Sequence, residues 1–194
     1  MKKIFTFIII SFFYFVSAQP IEPDIFVQST VNRASNALND KFSKIEKIEK
    51  LMNIARETVD IKGIGFYSLG SYRKTMAEDQ VKEYLNLFEK YFLKSFASRL
   101  AEYSNPEIEV NSKNQLNKNY TMVSSVLVAT EQRPEVKIDW RIYTKNPDNP
   151  LIRDLIIEGL SLARTQKEEF SSIIQSNDGN MNSLLLTLKK FINN

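Results

Sequence analysis

The chain has 194 residues with 26 Lys and Arg against 23 Asp and Glu, and it contains no cysteine and no histidine. Without cysteine there is no lipid-modified N-terminal Cys and no disulfide framework, and without histidine the usual base of serine and cysteine nucleophiles and most zinc ligand sets are missing. A charge balance this close to neutral gives no surplus for nucleic acid, and 43% hydrophobic residues at this length suit one domain with a sizeable core.

The first segment, "MKKIFTFIIISFFYFVSAQP", places Lys2 and Lys3 before an apolar run from Ile4 to Val16, with the small residues of Val16-Ser17-Ala18 behind it. This is the layout of a secretory signal peptide over residues 1–18, and the run is too short for a membrane-spanning helix. Cleavage after Ala18 leaves residues 19–194 as a single domain near +1, once Lys2 and Lys3 are gone from the 26 basic groups that face 23 acids. Such a protein is expected to be soluble in the periplasm of a double-membraned bacterium, with secretion as the alternative.

Helices come first in the mature chain. Pro23 opens a helix to Leu38, with Phe26, Val27, Val31, Ala34 and Leu38 on its apolar side. Ser43 caps a second, "KIEKIEKLMNIARETV", in which Ile45, Ile48, Leu51, Met52 and Ala55 recur at helical spacing while Lys and Glu cover the other face. A short helical piece, "GIGFYSLGSYRK", leads to the longest helix, Ala77 to Glu102, with Thr75 as N-cap and Glu78 and Asp79 in its first turn. Its apolar residues fill a sector of roughly 200°, about twice the stripe of an ordinary surface helix.

From "NPEIEV" the period changes to two, and "YTMVSSVLVAT", "EVKIDWRIYT" and "IRDLIIEGLSL" follow as further strands of an antiparallel meander. In the third strand Val136, Ile138, Trp140 and Ile142 face inward, opposite Lys137, Asp139, Arg141 and Tyr143. The fourth has greasy residues on both faces, so something apolar must lie on each side. Gly159 ends it, and amphipathic helices span Leu160 to Ser176 and Met181 to Ile192. The class is α+β: N-terminal helices, a curved four-stranded antiparallel sheet, and C-terminal helices.

Nine of the sixteen aromatic residues after Ala18 lie between Phe66 and Tyr103. Two readings stay open for this concentration: a core helix packed on two sides, or one wall of an apolar pocket. In the second, Phe66, Leu69, Tyr72, Leu85, Phe88 and Phe92 face Val126, Val128, Ile138, Trp140 and Ile156 of the sheet. Among the carboxylates, Glu131, Glu135, Asp139, Glu168 and Glu169 read as solvated, whereas Glu158 follows an apolar run and suits hydrogen bonding at a strand-to-helix corner better than acid-base work. Arg73, Lys74 and Arg153 lie near segment ends, either as solvated surface or as contacts for a partner. No catalytic set, metal site or cofactor motif stands out.

Several segments together carry a family likeness. "FYSLGSYRKTMAEDQVKEYLNLFEKYFLKSFASRL" resembles the L-G-x-Y segment and long helix of the MlaC family of periplasmic phospholipid-binding, toluene-tolerance proteins, and "VKIDWRIY" and "DLIIEGLSLARTQKEEFSSII" resemble its last strands and following helix. Leu69, Gly70 and Tyr72 match the first motif; Asp154, Glu158, Gly159, Ser161 and Leu162 match a D-x-x-x-E-G-x-S-L string. Many members carry Asn-Tyr-Arg where this chain has Thr165, Gln166 and Lys167. The resemblance, from Phe26 to Phe191, implies a carrier that is not an enzyme, holds acyl chains inside an apolar cavity and keeps the headgroup near the surface. It also implies partners: an outer-membrane lipoprotein complex and the inner-membrane MCE-domain protein of an ABC transporter. The competing readings are a carrier of another apolar lipid such as a hopanoid, a ligand-free adaptor, and an isomerase-like enzyme with a buried carboxylate.

Overall fold

The computed structural model describes residues 20–194, so the expected signal peptide lies outside the described residues. Helix α1, Pro23–Ala37, has proline in its first turn, where a missing N–H leaves no hydrogen bond unmade. Lys113 of the sheet fastens its start by pairing with Glu22 and, at 2.8 Å, with Asp24. Helix α2, Lys44–Thr58, starts in a reciprocal box, with Ser43 N–H donating to Glu46 Oε2 at 2.8 Å and Glu46 N–H donating to Ser43 Oγ at 3.3 Å.

Asp60 caps α3, Ile61–Leu69, by accepting the Gly63 N–H at 2.8 Å. Gly70, at a φ of +57°, ends the helix in a conformation that other residues resist. A 3-10 turn, Tyr72–Lys74, then precedes α4, Glu78–Leu100. Thr75 is not the cap of α4. Its hydroxyl donates to the Tyr72 carbonyl at 3.0 Å and closes the 3-10 turn, while the Ala77 N–H at the start of α4 donates to Gln80 Oε1 at 3.3 Å.

The sheet is an antiparallel meander of five strands in sequence order: β1 Ile108–Asn117, β2 Tyr120–Leu127, β3 Val136–Tyr143, β4 Leu151–Ile157 and β5 Leu160–Ser161. The fifth was not expected from the sequence. Glu158 and Gly159 both take positive φ, +49° and +83°, so the chain reverses through a two-residue hairpin of the twist-matched type and pairs Leu160 with Ile157 before becoming helical. Helix α5, Leu162–Gln175, therefore begins two residues later than its periodicity indicates, and α6, Met181–Asn193, follows.

A bulge interrupts β4. Ile142 pairs with Ile152, but Arg141 pairs with Asp154, leaving Arg153 as the extra residue. Beyond it the alternation is inverted: Leu155 and Ile157 share a face with Trp140 and Ile138, and Ile156 stands with Asp139. The apolar character on both sides of this strand is thus the sum of two segments with opposite inward parity.

The core lies between the helices and the inner sheet face. Helix α4 packs against α2, α3 and α6, and Tyr84 and Phe88 meet Phe170 of α5 edge-on at 6.3 and 6.1 Å. This many-sided packing accounts for the breadth of its apolar sector. A smaller cluster joins Ala37, Leu38, Leu51, Ala97 and Ala101, in which Leu38 at the end of α1 and Leu51 of α2 pack against the alanines.

Candidate functional site: an apolar cleft between helices and sheet

Not all of the inner volume is filled by side chains. A cleft of about 320 Å³ runs between α1, α2, α4 and α5 on one side and β2, β3 and β4 on the other, at the lower end of the roughly 300–1,000 Å³ usual for small-molecule sites. The wall formed by α4 and the turn after it steps along one stripe: Phe88, Phe92, Phe96 and Arg99 at helical spacing, then Tyr103. Phe88 is buried, Phe92 and Phe96 are half-buried and stack at 5.5 Å, and Arg99 and Tyr103 are exposed. The stripe therefore runs from a closed end to an open one. Val31, Leu38, Leu51 and Ala55 contribute from α1 and α2, and Leu127, Ile138, Trp140, Leu155 and Ile157 from the sheet.

The sheet wall differs from the sequence expectation at three positions. Val126 sits between Glu109 and Lys137 on the outer, polar face, and Val128, of the same parity, lies just past the end of β2. The inward set of β2 is Thr121, Val123, Ser125 and Leu127. Two of these are polar, which is what hid the register. Ser125 is satisfied inside, donating to the Ile138 carbonyl at 3.1 Å and accepting the Trp140 indole N–H at 2.8 Å. Ile156 is displaced from the wall by the bulge.

On the helical side, Phe88 and Phe92 line the cleft, as Ile138 and Trp140 do on the sheet side. Phe66, Leu69, Tyr72 and Leu85 do not: Leu69 is fully buried, and Tyr72 and Leu85 pack against the main core. Phe66 lies under the Lys62 ammonium, 6.0 Å from its ring centre. Arg73 and Lys74 are exposed in the 3-10 turn, away from the cleft lining.

Arg153, read as a partner contact, is built into the fold. Its Nε donates to Asp60 Oδ2 at 2.6 Å and its Nη1 to the Tyr120 hydroxyl at 2.8 Å, and its guanidinium stands 4.0 Å from the Tyr143 ring centre. Being the bulged residue, it leaves the ladder and reaches the α3 cap. Gly63 makes room for it, since a Cβ there would strike the Asp60 carboxylate and come within 2.9 Å of Arg153 Nε.

The D-x-x-x-E-G-x-S-L string is a structural corner. Asp154 is 3% exposed. Its Oδ2 accepts the Ser161 hydroxyl at 2.6 Å, its Oδ1 accepts the Ala163 N–H at 3.0 Å, and Arg141 lies 3.6 Å away. Ser161 in turn accepts the Arg164 N–H at 3.1 Å as the α5 cap. Glu158 is exposed and accepts the Lys137 N–H at 2.5 Å, continuing the β3 pairing past the turn. Both carboxylates of the string, Asp154 and Glu158, are engaged in hydrogen bonds within this corner.

Polar side chains of the cleft lining link α4 to α5. Tyr91 donates to Gln166 Oε1 at 3.1 Å, and Gln166 Nε2 donates to Glu169 Oε2 at 3.1 Å. Burial pushes the Tyr91 phenol up; the Gln166 contact offsets this, Glu169 adds to it, and Arg99 opposes it. Deeper in, burial drives the Tyr84 phenol far above its ordinary range while its hydroxyl donates to the Gly65 carbonyl at 3.1 Å, so both tyrosines are neutral donors. Among the described residues no cluster of Asp and Glu has the arrangement of a metal site.

The profile of the MlaC protein family matches residues 28–190. The chain belongs to the MlaC family. Its fold is similar to that of a solved structure described as the phospholipid-binding protein from Ralstonia solanacearum in complex with a phospholipid. The two share 18% sequence identity with a TM-score of 0.74, over 89% of this chain and 97% of that one. At that identity the likeness speaks for the fold. Within it, the L-G-x-Y and D-x-x-x-E-G-x-S-L segments of this chain are a helix end and a capped hairpin; the first gives no residue to the cleft lining, and the second gives Asp154, Leu155, Ile157 and Leu162.

Proposed function

We propose that this MlaC-family chain is a phospholipid carrier, holding acyl chains in the apolar cleft and leaving the headgroup at the open end. The observation that carries this reading is the cleft wall itself: a lengthwise row of aromatic side chains opposite Leu127, Ile138, Trp140, Leu155 and Ile157. A phospholipid in the similar Ralstonia solanacearum protein supports it. Each methylene that the cleft buries gains about 0.8 kcal/mol, so acyl chains enclosed even in part are held by many kcal/mol. Escape into water is correspondingly slow. We infer that lipid leaves by direct transfer between docked proteins, with an outer-membrane lipoprotein complex at one end and the MCE-domain protein of an inner-membrane ABC transporter at the other.

This reading makes the protein a binder and not an enzyme. The absence of histidine from the sequence and the full engagement of Asp154 within the fold support that. It also places the protein in the periplasm, released there by cleavage of residues 1–18; no helix of the described residues is long and apolar enough to cross a membrane. One measurement tests carriage and export together. Protein released by osmotic shock and never exposed to detergent should show, in native mass spectrometry, a chain beginning near Gln19 with one diacyl phospholipid bound. A retained hopanoid would change the cargo, and a chain that never carries lipid would leave an adaptor.

For docking we propose Arg73 and Lys74, which are exposed in the 3-10 turn and form no ion pair among the described residues. Changing both to Glu should leave lipid occupancy intact while slowing transfer to the MCE-domain partner several-fold at low salt, with the defect shrinking as salt rises. Equal transfer rates for variant and wild type at both salt concentrations would remove the pair from the docking surface.

A further inference from the structure

Three charged side chains line the cleft: Arg99, Asp154 and Glu169. Asp154 is buried and already bonded to Ser161 and Ala163, so it is unavailable to a ligand. The other two are exposed, one on α4 and one on α5, and line the same cleft, with Glu169 joined to Tyr91 of α4 through Gln166. Arg99 makes no ion pair among the described residues, and Glu169 accepts only the Gln166 amide. The neighbouring charges are occupied elsewhere. Glu168 pairs with Arg164 at 3.2 Å, and Arg133 donates to the Val128 carbonyl at 3.2 Å while stacking on Tyr103.

The exposed edge of a largely apolar cleft therefore offers one cation and one anion, neither of them held in an ion pair among the described residues. Resting on the carrier reading, we propose that this rim selects a zwitterionic phospholipid headgroup, with Arg99 binding the phosphodiester and Glu169 the primary ammonium of an ethanolamine lipid. A guanidinium presents paired donors to phosphate oxygens, and an ionised carboxylate is an acceptor of opposite charge for an ammonium N–H. An anionic headgroup with a neutral glycerol tip keeps the first contact, loses the second and meets the Glu169 charge unpaired.

The test uses the mature chain exchanged against vesicles containing equal amounts of phosphatidylethanolamine and phosphatidylglycerol with identical acyl chains, with bound lipid counted by native mass spectrometry. Wild type should hold the ethanolamine lipid about threefold over the glycerol lipid, as expected for a partly screened ion pair. Glu169→Gln should abolish that preference, Glu169→Lys should invert it, and Arg99→Gln should lower loading with both lipids. Glycerophosphoethanolamine, which has the headgroup without the tails, should not compete. If both lipids load equally and no variant moves the ratio, the headgroup assignment falls while lipid carriage stands. If neither lipid loads on the wild type, carriage itself falls. Competition by the tail-less compound would make the rim a site for a free phospho-amine and overturn the lipid assignment.

Discussion

Asp154→Ala should lower stability by about 2–4 kcal/mol, the largest loss expected from a single polar substitution in this chain. The carboxylate accepts the Ser161 hydroxyl and the Ala163 N–H in a site almost closed to water, with Arg141 beside it. Truncation leaves a helix N–H without a partner, removes the anchor of the α5 cap and opens a small void under the β4–β5 hairpin. Arg141 is 40% exposed and can turn to solvent, which keeps the loss below that of orphaning a fully buried ion. In urea the midpoint should fall by roughly 1–2 M with little change in slope. Asp154→Asn should lose about half as much, because an amide oxygen still accepts one of the two hydrogen bonds. A midpoint for the alanine variant within experimental error of wild type would mean that Asp154 does not hold the corner together.

Ile157→Asn should reduce phospholipid occupancy by about tenfold or more, and Ile156→Asn should leave it near wild type. The two positions are neighbours of equal size and similar half-burial, but Ile157 pairs with Ile138 on the cleft face and Ile156 pairs with Asp139 on the other. An amide placed among acyl chains without a partner is disfavoured by about 1–3 kcal/mol, and each 1.4 kcal/mol is a factor of ten in affinity. Circular dichroism separates loss of lipid from loss of fold. The reverse order of effects, with Ile156 the sensitive position, would show that β4 runs without a bulge and that the wall has been assigned to the wrong parity.

The helices and the class of the sheet could be read from the sequence because each depends on short-range pattern. Ser43 made the α2 start visible, and alternation in "VKIDWRIY" made the inner face of β3 visible. The cleft was only partly legible. Strand β2 has apolar residues at both parities, Met122 and Val126 against Val123 and Leu127, and the tie is decided by Trp140, whose buried indole N–H needs an acceptor and finds it in Ser125. Once that requirement is combined with antiparallel pairing, the inward register of β2 follows. The bulge had no comparable local signal. Arg153 in the middle of an apolar run was the one hint, and its partner Asp60 lies 93 positions away in sequence. The contributions of α1 and α2 to the wall were hidden for the same reason: their apolar faces mark burial, and nothing in the periodicity separates burial against protein from burial around a ligand.

That separation of 93 residues also bears on the order in which the molecule assembles. The sheet is a meander in which each strand pairs with its neighbour in sequence, so its hairpins close short loops. The opposite wall is attached differently: Asp60 N–H donates to the Ile152 carbonyl at 2.9 Å and Val59 bridges to Ile152, so the α2–α3 junction clips onto β4 beside the bulge only after a long loop has closed. Contacts of that kind come late, because the entropy of closing the loop must be overcome before the contact can form. The two walls of the cleft therefore meet in the same late step that completes the native topology. Until that step is finished the chain has no enclosed apolar surface to offer a lipid.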